Sequence, residues 1–286
     1  MTAYLNGAFL DAPTVDARDR GLLLGDGAFE TILVEGGRAA FLDRHMARLE
    51  RGLRVLRISR PNALDDAAEI LSTICARDGL AGTAAARITV TRGPGPRGLV
   101  APPPDETRPT TLMTVAAYAR PAAPATMMLA AERRFSGAAG RAFKAIGGYG
   151  EAILAVAAAR EAGADDALML NEHGRLASAT ASNVFVFTRA GRILTPALDE
   201  GTMPGIVRGL CLEAGAALSL AIEEAKIDPQ LLGGAAILLA NSLFGLREAR
   251  LLSTPPVATP DAAKALQAWY ARRLAESLGE AGRSGS

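Results

Sequence analysis

The chain has 286 residues, 49% of them hydrophobic and 21% charged, and its 31 basic residues against 30 acidic ones leave a formal net charge of +1. That balance gives no general attraction to nucleic acid or to an anionic membrane, and no apolar run approaches the roughly 20 residues that cross a bilayer. Two histidines, His45 and His173, and two distant cysteines, Cys75 and Cys211, form no metal-ligand pattern and offer no general base in a triad-like setting.

The opening MTAYLNGAFLDA lacks the basic-then-apolar order of a signal peptide, and reduced thiols in a cytoplasmic protein are expected. Within it, YLNGAFLDA reads as a hairpin about Asn6-Gly7. FETILV is a strand, and EGGR turns into another. LDRHMARLERGLRVL changes period: Leu42, Met46, Leu49, Leu53 and Leu56 share a helical face with arginines opposite. ALDDAAEILSTICARDG is a second amphipathic helix stopped at Gly79. AARITVTRG and TTLMTVAAY are strands on either side of the loop GPGPRGLVAPPP.

ARPAAPA, residues 119–125, has the proline and small-residue content of a linker. It divides the chain into a first domain, 1–118, and a second, 126–286. The second holds a strand TMMLAAER, a helix from about Tyr149 to Ala162, strands in DALML, NVFVFT and RILTPAL, and a helix opened by Pro204. A buried strand GAAILLANS follows, then a last helix, DAAKALQAWYARRLAESL, and a small polar tail expected to be disordered. The fold class is α+β in two domains.

Only three of the basic residues are lysines, at 144, 226 and 264. Where arginine serves nearly everywhere, a lysine suggests that a deprotonatable amine is needed. Lys226 and Lys264 sit among charges and read as surface residues. Lys144, in RAFKAIGGYG, has no charged neighbour between Phe143 and Tyr149. It is either a desolvated, reactive amine or a lysine snorkelling from a glycine-rich loop. Two further stretches suit an anion. GTMPGIVRGL opens a helix whose N-terminal amides face outward, and ANSLFG places Asn241 and Ser242 just after a buried strand. A reactive lysine with phosphate-binding features suggests pyridoxal 5′-phosphate (PLP).

The stretches DRGLLLGDGAFETI, HMARL, TRGPGPRG, FKAIGGYGEAILA, GADDALMLNEHGRLASATASNVFVF, ILTPALDEGTMPGIVR and LLANSLFGLREA resemble, in order and spacing, the fold type IV (class IV) PLP enzymes, both aminotransferases and lyases. The resemblance implies a small N-terminal α+β domain, a larger C-terminal pseudo-barrel domain with PLP at their interface, and a homodimer that lends pocket residues across its interface. It further implies that Lys144 forms the Schiff base and moves the Cα proton, that Tyr149 bonds the cofactor's phenolic oxygen, and that Arg48, the Ile206 and Val207 amides and Ser242 hold the phosphate. Met203 takes the place of a leucine on the pyridine face. Phe29, Arg97 and Asn241 match substrate-binding positions, where a guanidinium suits a carboxylate.

One departure stands out. Five residues before Asn183 the family carries a glutamate for the pyridine nitrogen; this chain has Ser178. Glu172 and Glu200 are nearby in sequence and are candidates to replace it. The NSLFG stretch resembles the 4-amino-4-deoxychorismate lyases, which form pyruvate and 4-aminobenzoate for folate synthesis. Leu99 stands where a D-specific aminotransferase pocket has a histidine. The expected activity is the lyase. The alternatives are an aminotransferase of D-amino acids, branched-chain amino acids or amines, and a non-catalytic PLP-binding protein.

Overall fold

The computed structural model describes residues 1–279, and the polar tail expected to be disordered lies outside them. The chain forms two compact units. Among the described residues, one takes 1–119, 142–148 and 276–279; the other takes 120–141 and 149–275.

In the first unit, β1 (Ala3–Leu5) and β2 (Ala8–Leu10) form the expected hairpin. Asn6 and Gly7 both adopt positive φ, 50° and 100°, as a two-residue hairpin turn of the primed type requires. α1 (Arg20–Leu24) is one short turn; the Asp19 carboxylate accepts from the Gly21 amide at its start and Gly25 closes it at φ 67°. β3 (Gly27–Glu35), β4 (Arg38–Ala39), α2 (Leu42–Leu56), α3 (Ala67–Arg77), β5 (Thr83–Thr91) and β6 (Thr110–Ala117) follow. The sheet order is β2-β1-β6-β5-β3-β4, with every pair antiparallel. α2 packs on β3 and α3 on β6, burying Ile32, Leu49, Leu53, Leu71, Ile74, Ile88 and Met113 in one core.

Residues 142–148, which the sequence placed in the second half, are a strap across β3. The Phe29 amide donates to the Lys144 carbonyl (2.9 Å) and the Ile146 amide to that of Gly27 (3.0 Å), and Ala28 pairs with Ala145. Phe143 enters the core against Gly52, where a Cβ would fall 2.7 Å from the ring.

The second unit contains β7 (Ala125–Arg134), α4 (Gly150–Glu161), β8 (Asp166–Asn171), β9 (Leu176–Ala179), β10 (Asn183–Phe187), β11 (Ile193–Pro196), α5 (Ile206–Ala217), β12 (Ile222–Ala225), β13 (Ala236–Asn241), β14 (Gly245–Leu251) and most of α6 (Asp261–Ser277). The strand order is β12-β11-β10-β13-β14-β7-β8-β9. Pairing is parallel at β11–β12, β14–β7 and β7–β8 and antiparallel elsewhere. The sheet curls on itself. Leu176 and Ala179 of β9 share a core with Val184 and Val186 of β10 and Leu194 of β11, and the Leu176 amide bonds the carbonyl of Ile227, just past β12 (2.9 Å). Both units match the expected class of fold, mixed α and β with a barrel-like second sheet. Pro204 does not open α5: Gly205 is its N-cap and Ile206 its first residue. Cys75 and Cys211 are buried free thiols. Among the described residues no helix is long and apolar enough to cross a membrane.

Candidate active site

In the first unit the chemistry gathers around Lys144. The helical spacing of α2 puts His45 and Arg48 on one face, and that face turns inward. The arginines of α2 are therefore not all opposite the buried side: Arg48 is buried, as is His45. Both meet Glu30 of β3, which is fully buried. Glu30 Oε1 accepts from Arg48 Nε (2.8 Å), and Oε2 from Arg48 Nη2 (2.7 Å) and His45 Nδ1 (2.7 Å). Burial works against this carboxylate, but the bonds from Arg48 and His45 outweigh it and hold its pKa at about 2. Burial also depresses the His45 pKa, and more than its bond to Glu30 restores. The ring is neutral and donates through Nδ1.

Lys144 lies beside this group. Its Nζ is 4.9 Å from the centroid of the Phe29 ring, and the Arg87 guanidinium carbon is 3.7 Å from the same centroid. Burial, then the charge of Arg48, offset in part by Glu30, bring its pKa down from 10.5 to about 8; Arg87 adds to the fall. Roughly a tenth of the amine is then neutral at pH 7, against less than about a thousandth for an ordinary lysine. The reactive-amine reading of Lys144 is the one this environment supports.

In the second unit, the segment before α5 forms a shaped cup. Asn183 donates through Nδ2 to Thr202 Oγ1 (2.9 Å) and to the Met203 carbonyl (2.8 Å). A Cβ on Gly205 would sit 1.9 Å from Asn183 Oδ1, so only glycine admits this hold. Gly205 gives α5 no side-chain cap, and its first amides, from Ile206 and Val207, suit an anion. Asn241 accepts from the Leu243 and Phe244 amides (3.0 Å each), which shapes the turn that carries Ser242. Tyr149 is the residue before α4. In the first unit an amine of lowered pKa lies beside a buried guanidinium, and in the second, taken by itself, a glycine opens a helix with uncapped amides; each is a kind of donor that a phosphorylated aldehyde takes, and the residues of each unit fit PLP.

Ser178 is buried and donates to the Ala179 carbonyl (2.8 Å). Arg134, also buried, donates to the same carbonyl (3.0 Å) and to that of Thr180 (2.7 Å). Both candidate glutamates are engaged by other groups. Glu200 accepts from Arg175 (2.5 and 2.9 Å) and from Asn171 (2.7 Å). Glu172 accepts from the Ser136 hydroxyl (2.6 Å) and amide (3.0 Å).

Of the expected residues of the first unit, Phe29, Arg48 and Lys144 come together. Arg97 is exposed on the loop after β5 and is not among the charges that act on Lys144; Arg87 is. Glu30 and Arg87 carry no mark in the sequence, and His45 stands out there only as a histidine with no general-base setting. The H-x-x-R spacing could have drawn attention to His45.

Residues 27–252 match the family model described as amino-transferase class IV. A Methanocaldococcus jannaschii protein provisionally described as a branched-chain-amino-acid aminotransferase is 30% identical over 226 residues, 74% of each chain. The aminodeoxychorismate lyase of Bacillus subtilis is 28% identical over 79% of this chain and 77% of its own. Among solved structures, 4-amino-4-deoxychorismate lyase from Pseudomonas aeruginosa superposes with a TM-score of 0.79 at 30% identity, covering 93% of this chain and 97% of that one. The fold, the environment of Lys144 and the extent of these matches agree: the chain belongs to the class IV aminotransferase family, whose members are PLP enzymes.

Proposed function

We propose that this protein is a PLP-dependent 4-amino-4-deoxychorismate lyase that releases pyruvate and 4-aminobenzoate. When bound, PLP supplies an electron sink for the pair left behind when the amine-bearing carbon of the substrate loses its proton. The Lys144 amine takes that proton; its depressed pKa suits it to do so near neutral pH. Arg48, the Ile206 and Val207 amides and the Ser242 hydroxyl hold the phosphate. Tyr149 holds the phenolic oxygen, and Met203 packs on the ring. Phe29, Arg87 and Asn241 receive the substrate, whose carboxylate suits a guanidinium.

Ser178 carries the choice of reaction. Its hydroxyl is directed to the Ala179 carbonyl, the neighbour on that carbonyl is a cation, Arg134, and Glu172 and Glu200 are engaged elsewhere. Position 178 itself supplies no carboxylate to strengthen electron withdrawal. Elimination tolerates this, because the leaving group carries the electrons off and the ring becomes aromatic. Amino transfer needs the charge held long enough for a proton to return at another carbon, and it suffers more.

The test offers purified protein aminodeoxychorismate and follows pyruvate and 4-aminobenzoate. In parallel it offers D-alanine or L-leucine with 2-oxoglutarate. Brisk amino transfer with no pyruvate from aminodeoxychorismate would overturn the lyase reading in favour of a class IV aminotransferase, the activity named for the M. jannaschii relative. PLP bound without either turnover would make the protein a non-catalytic binder. We further propose a cytoplasmic homodimer. Leu22, Leu23 and Leu24 of α1 and Leu99 and Val100 of the loop after β5 are exposed in the first unit, an apolar surface of the kind that subunit contacts cover. Arg97 on that loop would then serve a partner's pocket.

A further inference from the structure

The Glu30 carboxylate is more fully engaged than a charge partner for Arg48 needs to be. Three donors converge on its two oxygens from α2, two from Arg48 and one from His45. A guanidinium bonded to one carboxylate through both Nε and Nη2 cannot swivel on its stem. His45 secures the carboxylate in turn. Its ring acts through Nδ1, while Nε2 is buried with no hydrogen-bond partner among the described residues. Glu30 is also the anion in a group of cations. Arg48 and Arg87 disfavour the ammonium form of Lys144, and Glu30 favours it.

We infer that Glu30, secured by His45, is a positioning residue of the active site: it fixes the Arg48 guanidinium for a phosphate and offsets the two arginine charges at the Lys144 amine. The phosphate half rests on the PLP reading above; the charge half does not. The phosphate role needs the full reach of glutamate, because Oε1 and Oε2 must meet donors from successive turns of α2 while the backbone stays in β3; the charge role needs only a carboxylate at this place.

The experiment separates the halves. In the apoprotein, trace acetylation with acetic anhydride across a pH series, read peptide by peptide in a mass spectrometer, titrates the Lys144 amine, with Lys226 and Lys264 as internal references. The wild-type midpoint is expected near 8, and Glu30→Gln lowers it by about one unit. Separately, affinities for PLP and for pyridoxal are measured by the visible absorbance of the bound aldehyde. The preference for PLP over pyridoxal falls about tenfold in Glu30→Gln, since Arg48 is no longer aimed. Glu30→Asp keeps the charge but not the reach: its midpoint stays with the wild type and its PLP preference falls. It decides the phosphate half even where Glu30→Gln does not fold.

A purely structural role would lower melting temperature and both affinities together, leaving the ratio and the midpoint unchanged, and that result overturns the inference. Wild-type protein that binds neither aldehyde removes the cofactor reading, and the phosphate half with it. The acetylation midpoint still decides the charge half.

Discussion

Lys144 combines low abundance with an unfavourable position for its own charge. Its amine titrates at about 8 in the folded chain against an ordinary 10.5. The folded state thus binds this proton less tightly than the unfolded state does. Below pH 8 the partly buried ammonium opposes folding, and the penalty fades as pH rises from about 8 to 10.5. The difference of the two values corresponds to about 3 kcal/mol. The Lys144→Met apoprotein is expected to be more stable than the wild type at pH 7 by up to that amount, with the gap closing by pH 10.5. Urea denaturation at several pH values measures it, and a gap that does not change with pH would refute the buried-charge account. Glu30 acts in the opposite sense: its pKa of about 2 lies below the ordinary 4.5, so its contribution is present above pH 4.5 and is lost as pH falls toward 2. Lys144 was legible in the sequence because only three lysines exist and this one has apolar neighbours. Glu30 was not, because an acid within FETILV reads as the solvent side of a strand, and its partners arrive from a helix that begins seven residues after the strand ends.

Elements were legible where their period was long enough to show. α2 and α3 each run eleven residues or more, and both were expected. α1 has five residues, too few to display a helical period; its signals are the Asp19 cap and the left-handed Gly25. The buried strand β9, LASA, has no alternation because both faces are covered, and β12, IEEA, is an edge strand dominated by acids. β14, GLREARL, begins on the glycine of the NSLFG motif and has no alternation of its own to mark a strand. The turn into α5 yields a prediction at this scale. Asn183 holds Thr202 and Met203 only because Gly205 leaves it room. A methyl at 1.9 Å from Asn183 Oδ1 displaces that side chain, and the amides of Ile206 and Val207 lose their setting. Gly205→Ala is expected to weaken PLP binding by at least about tenfold, the loss of roughly one good charge-assisted hydrogen bond, with pyridoxal affected less. Equilibrium titration with both aldehydes checks this; unchanged PLP affinity would show that the cup does not hold the phosphate.

At the scale of the whole molecule, chain order and spatial grouping part company. Residues 142–148 belong to the first unit although they follow β7 of the second, because Phe143 fills the space left by Gly52 and the strap bonds to β3. No local pattern reports pairing across more than a hundred residues, so the sequence divided the chain once where contacts divide it several times. The exposed apolar surface is also a property of the assembled unit. Leu22–Leu24 and Leu99–Val100 are some 75 residues apart in sequence, yet Arg20 ties the two segments together. Its Nη1 donates to the carbonyls of Pro96 (3.0 Å) and Gly98 (2.9 Å), while its Nε pairs with Asp26 (2.9 Å). Arg20 is itself buried, so the loop is held by a satisfied cation and its apolar side chains remain outside. Leaving five large aliphatic side chains in water is costly, and a second copy of the chain can cover them. The wild type is therefore expected to sediment at twice 29.6 kDa. The double variant Leu99→Glu/Val100→Glu should sediment as a monomer with unchanged secondary structure, since neither residue contributes to the core. If Arg97 serves a partner's pocket, the same variant loses turnover of aminodeoxychorismate by about tenfold or more while Lys144 still takes up PLP. A wild-type monomer with full turnover would remove both the dimer and the role given to Arg97.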